Sequence, residues 1–68
     1  MTPDQSRAAR AMAKLSQAGL AEEASVAKAT IAAFESGKRT PHPRTFGALV
    51  DALRRRGVEI TDDGVRRV

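Results

Sequence analysis

The sequence predicts a mainly α fold, a compact four-helix domain followed by a short C-terminal β-hairpin or extended tail. Two observations carry this. Four segments place apolar or small residues at helical spacing, and three of them open on a capping residue or a proline. The last eleven residues change to short alternating runs around a glycine. The chain has 68 residues, enough for one domain with a small core, so association with a second copy or another partner would add stability. The expected organisation is a helical domain over residues 1–57 and a hairpin or tail over 58–68, the latter a candidate dimerisation element.

Thr2-Pro3-Asp4-Gln5 has the grammar of a helix start: Thr as N-cap, Pro at the first helical position, Asp near the positive dipole end and Gln completing a capping box. The first helix is expected from about Pro3 to Lys14, with Ala8, Met12 and Leu15 inward. Ser16 caps a second helix running to about Ala24, with Leu20, Ala21 and Ala24 inward. Ser25-Val26-Ala27 is too short for a structured loop, so the chain must turn sharply. A third helix, about Lys28 to Ser36, buries Ile31 and Phe34 and ends on Gly37 in a left-handed conformation. Lys38-Arg39-Thr40-Pro41 is an exposed basic connection. The fourth helix starts at Pro43, carries Phe46, Leu49, Val50 and Leu53 at i, i+3, i+4 and i+7, and ends at Gly57. Val58-Glu59-Ile60 and Val65-Arg66-Arg67-Val68 flank an Asp-Gly turn and read as a hairpin, which must pack on the helices or on a second subunit because a lone hairpin is marginal in water.

Twelve Lys and Arg against eight Asp and Glu leave a net charge of +4, a balance suited to a polyanionic partner. There is no cysteine, hence no disulfide framework and no thiolate metal site. No apolar run approaches the ~20 residues of a membrane span, and the first ten residues lack the apolar core of a secretory signal. A cytoplasmic protein is expected. The single histidine, His42, lies between two prolines, where a turn or helix N-cap explains it. Glu22 and Glu23 are adjacent on a helix and diverge, so they form no catalytic pair. No nucleophile constellation, phosphate-binding glycine loop or metal-ligand spacing occurs, and neither enzymatic activity nor a cofactor is expected.

Ser16-Gln17, Leu20-Ala21, Val26, Ile31, Phe34-Glu35, Gly37 and a basic loop ending in proline coincide at fixed offsets. Over Arg7 to Leu53 the chain resembles the Cro and phage-repressor (XRE-like) helix-turn-helix family, with its lambda-repressor-like domain. The resemblance implies a transcriptional regulator, as a repressor or autoregulator, that binds double-stranded operator DNA as a homodimer with helix 3 in the major groove. It places Lys28, Ala29, Thr30, Ala32 and Ala33 at base-contacting positions, and Gln17, Ala27, Ser36, Lys38, Arg39 and Arg44 at phosphate-contacting ones. It also pairs Arg10 with Glu35 between helices 1 and 3, a structural ion pair. Arg54-Arg55-Arg56 is either a second phosphate patch or the favourable cationic end of helix 4, and the helix-end explanation is preferred.

Helix 3 departs from the family pattern. Ala27 replaces the usual Ser or Thr cap, at a cost of about 1 kcal/mol. Ser25 stands where glycine usually accommodates the turn, and Gly19 replaces the Glu that would answer Ser16. Lys28 is the one obvious base reader, suited to guanine, while alanines offer only van der Waals contact with thymine methyls. The same surface of Ala27, Ala29, Ala32 and Ala33, rimmed by Lys28 and Lys38, also suits a second regulatory protein, as in an antiactivator or adaptor. A third explanation is that alanine is there simply as the best helix former.

Overall fold

Thr2 opens the first helix by the predicted mechanism. In the computed structural model, which describes residues 1–68, Thr2 Oγ1 accepts from the Gln5 backbone N–H and Gln5 Oε1 accepts from the Thr2 N–H, a reciprocal capping box. Helix α1 runs Pro3–Ala13, α2 Gln17–Ala24, α3 Lys28–Glu35 and α4 Pro43–Arg55; strands β1, Val58–Ile60, and β2, Val65–Arg67, complete the chain. Helix α4 is capped by His42, whose Nδ1 accepts from the Arg44 N–H at 3.0 Å, the N-cap role the sequence suggests.

The core is one cluster of Ala9, Leu20, Ala21, Ile31, Leu49, Ala52, Leu53 and Val58. Its three alanines let helices approach closely, and its larger aliphatics fill the space between α2, α3 and α4. Phe34 is also buried and meets Phe46 edge to face, with ring centroids 5.0 Å apart. Two inward faces differ from the sequence expectation. At α1 the expected Met12 and Leu15 pack against the core, but Ala8 is exposed and the buried residues are Gln5, Ser6 and Ala9, because polar partners share the inward face with apolar ones. On α4 Phe46 and Val50 are half-buried and Ala52 is in the core, so the face is rotated toward α2 and β1, against which α4 packs.

Three helices end by the same device. Lys14, Ser25 and Gly37 each adopt a left-handed conformation (φ 58°, 58° and 79°). Each next residue, Leu15, Val26 and Lys38, donates its N–H to the carbonyl five positions back, on Arg10, Ala21 and Ala33. At Lys14 and Ser25 a side chain occupies a region that costs an L-residue roughly 1 kcal/mol.

The strands pair antiparallel, with Val58 opposite Arg67, Glu59 opposite Arg66 and Ile60 opposite Val65. Their connection differs from an Asp-Gly hairpin turn. Asp62 and Asp63 are its central residues, neither at positive φ, and Gly64 closes it, the fourth position at which ordinary type I turns favour glycine. Thr61 accepts the Gly64 N–H on Oγ1, and Gln5 Nε2 donates to the carbonyls of Thr61 (2.7 Å) and Gly64 (3.1 Å). One side chain therefore caps α1 with its oxygen and fastens the hairpin turn with its nitrogen. Replacing Gln5 with Leu should loosen the hairpin by about 1–2 kcal/mol. Hydrogen exchange is expected to quicken at the Thr61 and Val68 amides well before it does at Leu20.

Candidate nucleic-acid interface

The pair α2–α3 is built by local signals of unequal strength. Ser16 caps α2 through its Oγ, which accepts the Gly19 N–H at 2.9 Å. With glycine at that position no side chain reaches back to close the box. Ala27 precedes α3 in extended conformation and makes no side-chain capping bond. The sharp turn between the helices rests on Ser25 at φ 58°, where the sequence comparison anticipates glycine.

At the other end of α3 from this turn lies Glu35, with a side chain only 3% exposed. One carboxylate oxygen accepts from Arg10 Nη2 (2.7 Å) and Gln17 Nε2 (3.1 Å), the other from Arg10 Nε (2.8 Å) and Ser6 Oγ (2.6 Å). Arg7 donates to the Glu35 backbone carbonyl, and Arg10 also reaches the carbonyl of Leu15 at 3.2 Å. The expected Arg10–Glu35 pair is thus the bidentate centre of a network joining α1, α2 and α3. Burial works to raise the Glu35 carboxyl, but hydrogen bonds from Arg10, Ser6 and Gln17, with the Arg10 charge, outweigh it and hold the group below the usual carboxylate range.

Gln17 begins α2, and its amide nitrogen is aimed by Glu35. An amide carries two N–H donors, so one is spent inward and one stays free. The N–H groups of Gln17 and Ala18, in the first turn beyond the reach of the Ser16 cap, find no acceptor within the helix.

The outer surface of α3 exposes Ala27, Lys28 and Ala29, with Thr30, Ala32 and Ala33 half-buried. Ala29, Thr30 and Ala33, with Lys38 and Arg39 of the following loop, line a shallow open groove of about 460 Å³. Lys28 and Ala32 flank this groove on α3 and do not line it. Ser36 Oγ is engaged locally with the Ala33 carbonyl, and Arg44 is exposed on the first turn of α4.

The charges are sorted. Five of the twelve cationic side chains are in salt bridges: Arg7, Arg10, Arg54, Arg56 and Arg66. Lys28, Lys38, Arg39 and Arg44 are in none, and the only acid between Val26 and Val50 is Glu35, already enclosed by Arg10. At the other end of α4, Arg54 pairs with Glu59, Arg56 with Glu23, and Arg55 donates to the Glu23 carbonyl. Arg54–Arg56 are thus engaged with acceptors inside the domain. No group of three or more His, Cys, Asp or Glu is arranged to hold a metal ion, and no helix is long and apolar enough to cross a membrane.

Sequence reasoning missed Ser6 and Arg7 as partners of Glu35, and Gln5 as the hairpin clamp. Ser6 lies one turn before Arg10 on the same helical face, which is a usable signal. The reach of Gln5 to Thr61 and Gly64 crosses most of the chain and leaves no local trace.

Four helices, a sharp turn between the second and third, and an unneutralised basic rim around the third define a DNA-binding helix-turn-helix domain. The family model described as Helix-turn-helix matches residues 7–60, most of the chain. The protein belongs to this family, whose Cro-like and XRE-like members bind DNA as regulators. No curated protein matches the chain.

Two outcomes follow from this geometry. Supplying the missing cap with Ala27→Ser should stabilise the domain by about 1 kcal/mol, raising Tm by roughly 4–8 °C for a domain this small. Because the folded carboxyl of Glu35 is depressed, its contribution to stability is complete above the unfolded value of about 4.3 and is lost as pH falls through the native value. Chemical denaturation across that acid range should show a steep loss. Glu35→Gln, less stable at neutral pH, should flatten it, though Glu23 and Glu59, also depressed by Arg56 and by Arg66 with Arg54, leave a residual slope.

Proposed function

We propose that the protein is a transcriptional repressor or autoregulator of the cytoplasm, and that it binds operator DNA with α3 in the major groove. The observation that carries this is the set of four unpaired cations, Lys28, Lys38, Arg39 and Arg44, around a helix with no exposed acid. In this role Gln17, Lys38, Arg39 and Arg44 hold phosphates, supported by the backbone at Ala27 and the hydroxyl of Ser36. Lys28, Ala29, Thr30, Ala32 and Ala33 face base edges. Lys28 discriminates guanine, and the alanines contribute close approach and contact with thymine methyls. With one strong reader per copy, specificity depends on a homodimer reading two half-sites and on DNA shape.

Ala29 and Ala33 give the groove an apolar stretch between Thr30, Lys38 and Arg39, which favours a second possibility, an antiactivator or adaptor that docks another regulator there. Salt dependence separates the two. Fluorescence anisotropy with duplex from the promoter of its own gene, at two salt concentrations, should give a steep loss of affinity with salt. Arg39→Ala should reduce the slope of log K against log[salt] by roughly 0.9 for its one phosphate and weaken all sequences alike. Lys28→Ala should instead relax discrimination at one base pair by about 1–3 kcal/mol. A folded protein with no salt-dependent preference for any promoter duplex would remove the operator-binding role and leave the docking one.

A further inference from the structure

The outer surface of α3 is selective through what it lacks. Cytosine and adenine each present an exocyclic amine in the major groove, and reading it takes an acceptor: a carboxylate for cytosine, an Asn or Gln amide for adenine. The chain contains no asparagine, and neither of its glutamines, Gln5 and Gln17, lies on α3. The one acid between Val26 and Val50 is Glu35, whose carboxylate is enclosed by Arg10, Ser6 and Gln17. Thr30 is the only hydroxyl lining the groove, and a hydroxyl donates to thymine O4 as readily as it accepts from cytosine N4. The groove otherwise offers the methyl groups of Ala29 and Ala33 between the cations Lys38 and Arg39, with Lys28 exposed and unpaired beside it. Such a surface registers two features of a base pair, a methyl at pyrimidine C5 and the O6 and N7 acceptors of guanine.

We propose that α3 recognises the 5-methylcytosine–guanine base pair, so that methylation of cytosine C5 within a bound site raises its occupancy. Thymine–adenine carries the methyl without the guanine acceptors, and cytosine–guanine carries the acceptors without the methyl. The methylated pair alone carries both. Exchanging thymine–adenine for 5-methylcytosine–guanine replaces O4 by an amine on one base and the N6 amine by O6 on the other. No acceptor on α3 reads either amine, and both remain hydrated in an open groove. The new O6, beside N7, is the edge that a lysine ammonium takes. Alanine makes the room: Ala29 and Ala33 lie one turn apart on one face, and the groove of about 460 Å³ they line is open and shallow. Covering one pyrimidine methyl with their side chains corresponds to about 4-fold in affinity.

The inference rests on the operator-binding role, and the experiment separates the two. Random duplexes of unmodified DNA are first selected on the protein, and anisotropy at two salt concentrations establishes that the enriched duplex binds specifically, which tests that role alone. Each pyrimidine of that duplex is then rebuilt in turn as thymine, uracil, cytosine and 5-methylcytosine, with the matching purine opposite. At the positions under α3, uracil should bind about 4-fold more weakly than thymine for the one methyl lost. There 5-methylcytosine should bind at least as tightly as thymine, and cytosine about 4-fold more weakly than its methylated form. Ala29→Gln changes an exposed position to another good helix former, fills the groove and supplies an acceptor, and should abolish the preference for methyl with an unchanged circular dichroism spectrum. Equal binding of uracil and thymine at every position, 5-methylcytosine bound no better than cytosine at any, or a variant that keeps the preference would overturn the proposal and leave operator binding intact. An unmodified library from which nothing is enriched would overturn both.

Discussion

Everything that positions α3 depends on one buried carboxylate. Glu35 is the last residue of that helix and accepts from side chains on α1 (Ser6 and Arg10) and on α2 (Gln17). A carboxylate with 3% of its side chain exposed is expensive to desolvate, and as a ledger entry the pair with Arg10 adds little net stability against an apolar replacement of equal shape. Its value is geometric. The guanidinium fork and the two oxygens fit in one plane and one register, so α1 and α3 can meet at only one tilt. Through Gln17 the same group also sets the direction of the first side chain of α2. A change that unsettles Glu35 therefore disturbs α2 and α3 together.

How much of this is legible in the sequence depends on how local the signal is. The helix starts at Thr2, Ser16 and Pro43 and the end at Gly37 are written within a few residues, and the structure reproduces them. The pairing of Arg10 with Glu35 followed from resemblance. Of the expected inward residues of the first helix, Met12 and Leu15 pack against the core and Ala8 does not; the face is completed by Gln5 and Ser6, polar residues that hydrophobic periodicity discards. The strands and the turn over residues 61–64 fall where the sequence places them, but the turn is centred on Asp62-Asp63 and is not an Asp-Gly turn, and the side chain that holds it, Gln5, lies near the other end of the chain.

The helix-turn-helix itself combines a firm framework with local concessions. Ser25 carries positive φ without being glycine, Ala27 gives α3 no side-chain cap, and Gly19 leaves the capping of α2 one-sided. None of these prevents the fold, because burial of Leu20, Ala21, Ile31 and Phe34 outweighs local propensity. They concentrate the least secure backbone in the two short helices whose outer faces remain uncovered.

The sorting of charge along α4 has a kinetic meaning. Arg44 stands at one end, and Arg54, Arg55 and Arg56 at the other are tied to Glu23 and Glu59, roughly 15 Å away by helix rise. The positive field is therefore carried by one side of the molecule, not spread over it. Approaching a polyanion, such a body experiences a torque before it makes contact, and at low ionic strength it arrives already turned toward its target. The internal arginine pairs, which read locally as stabilising contacts, thus also suppress encounters in unproductive orientations.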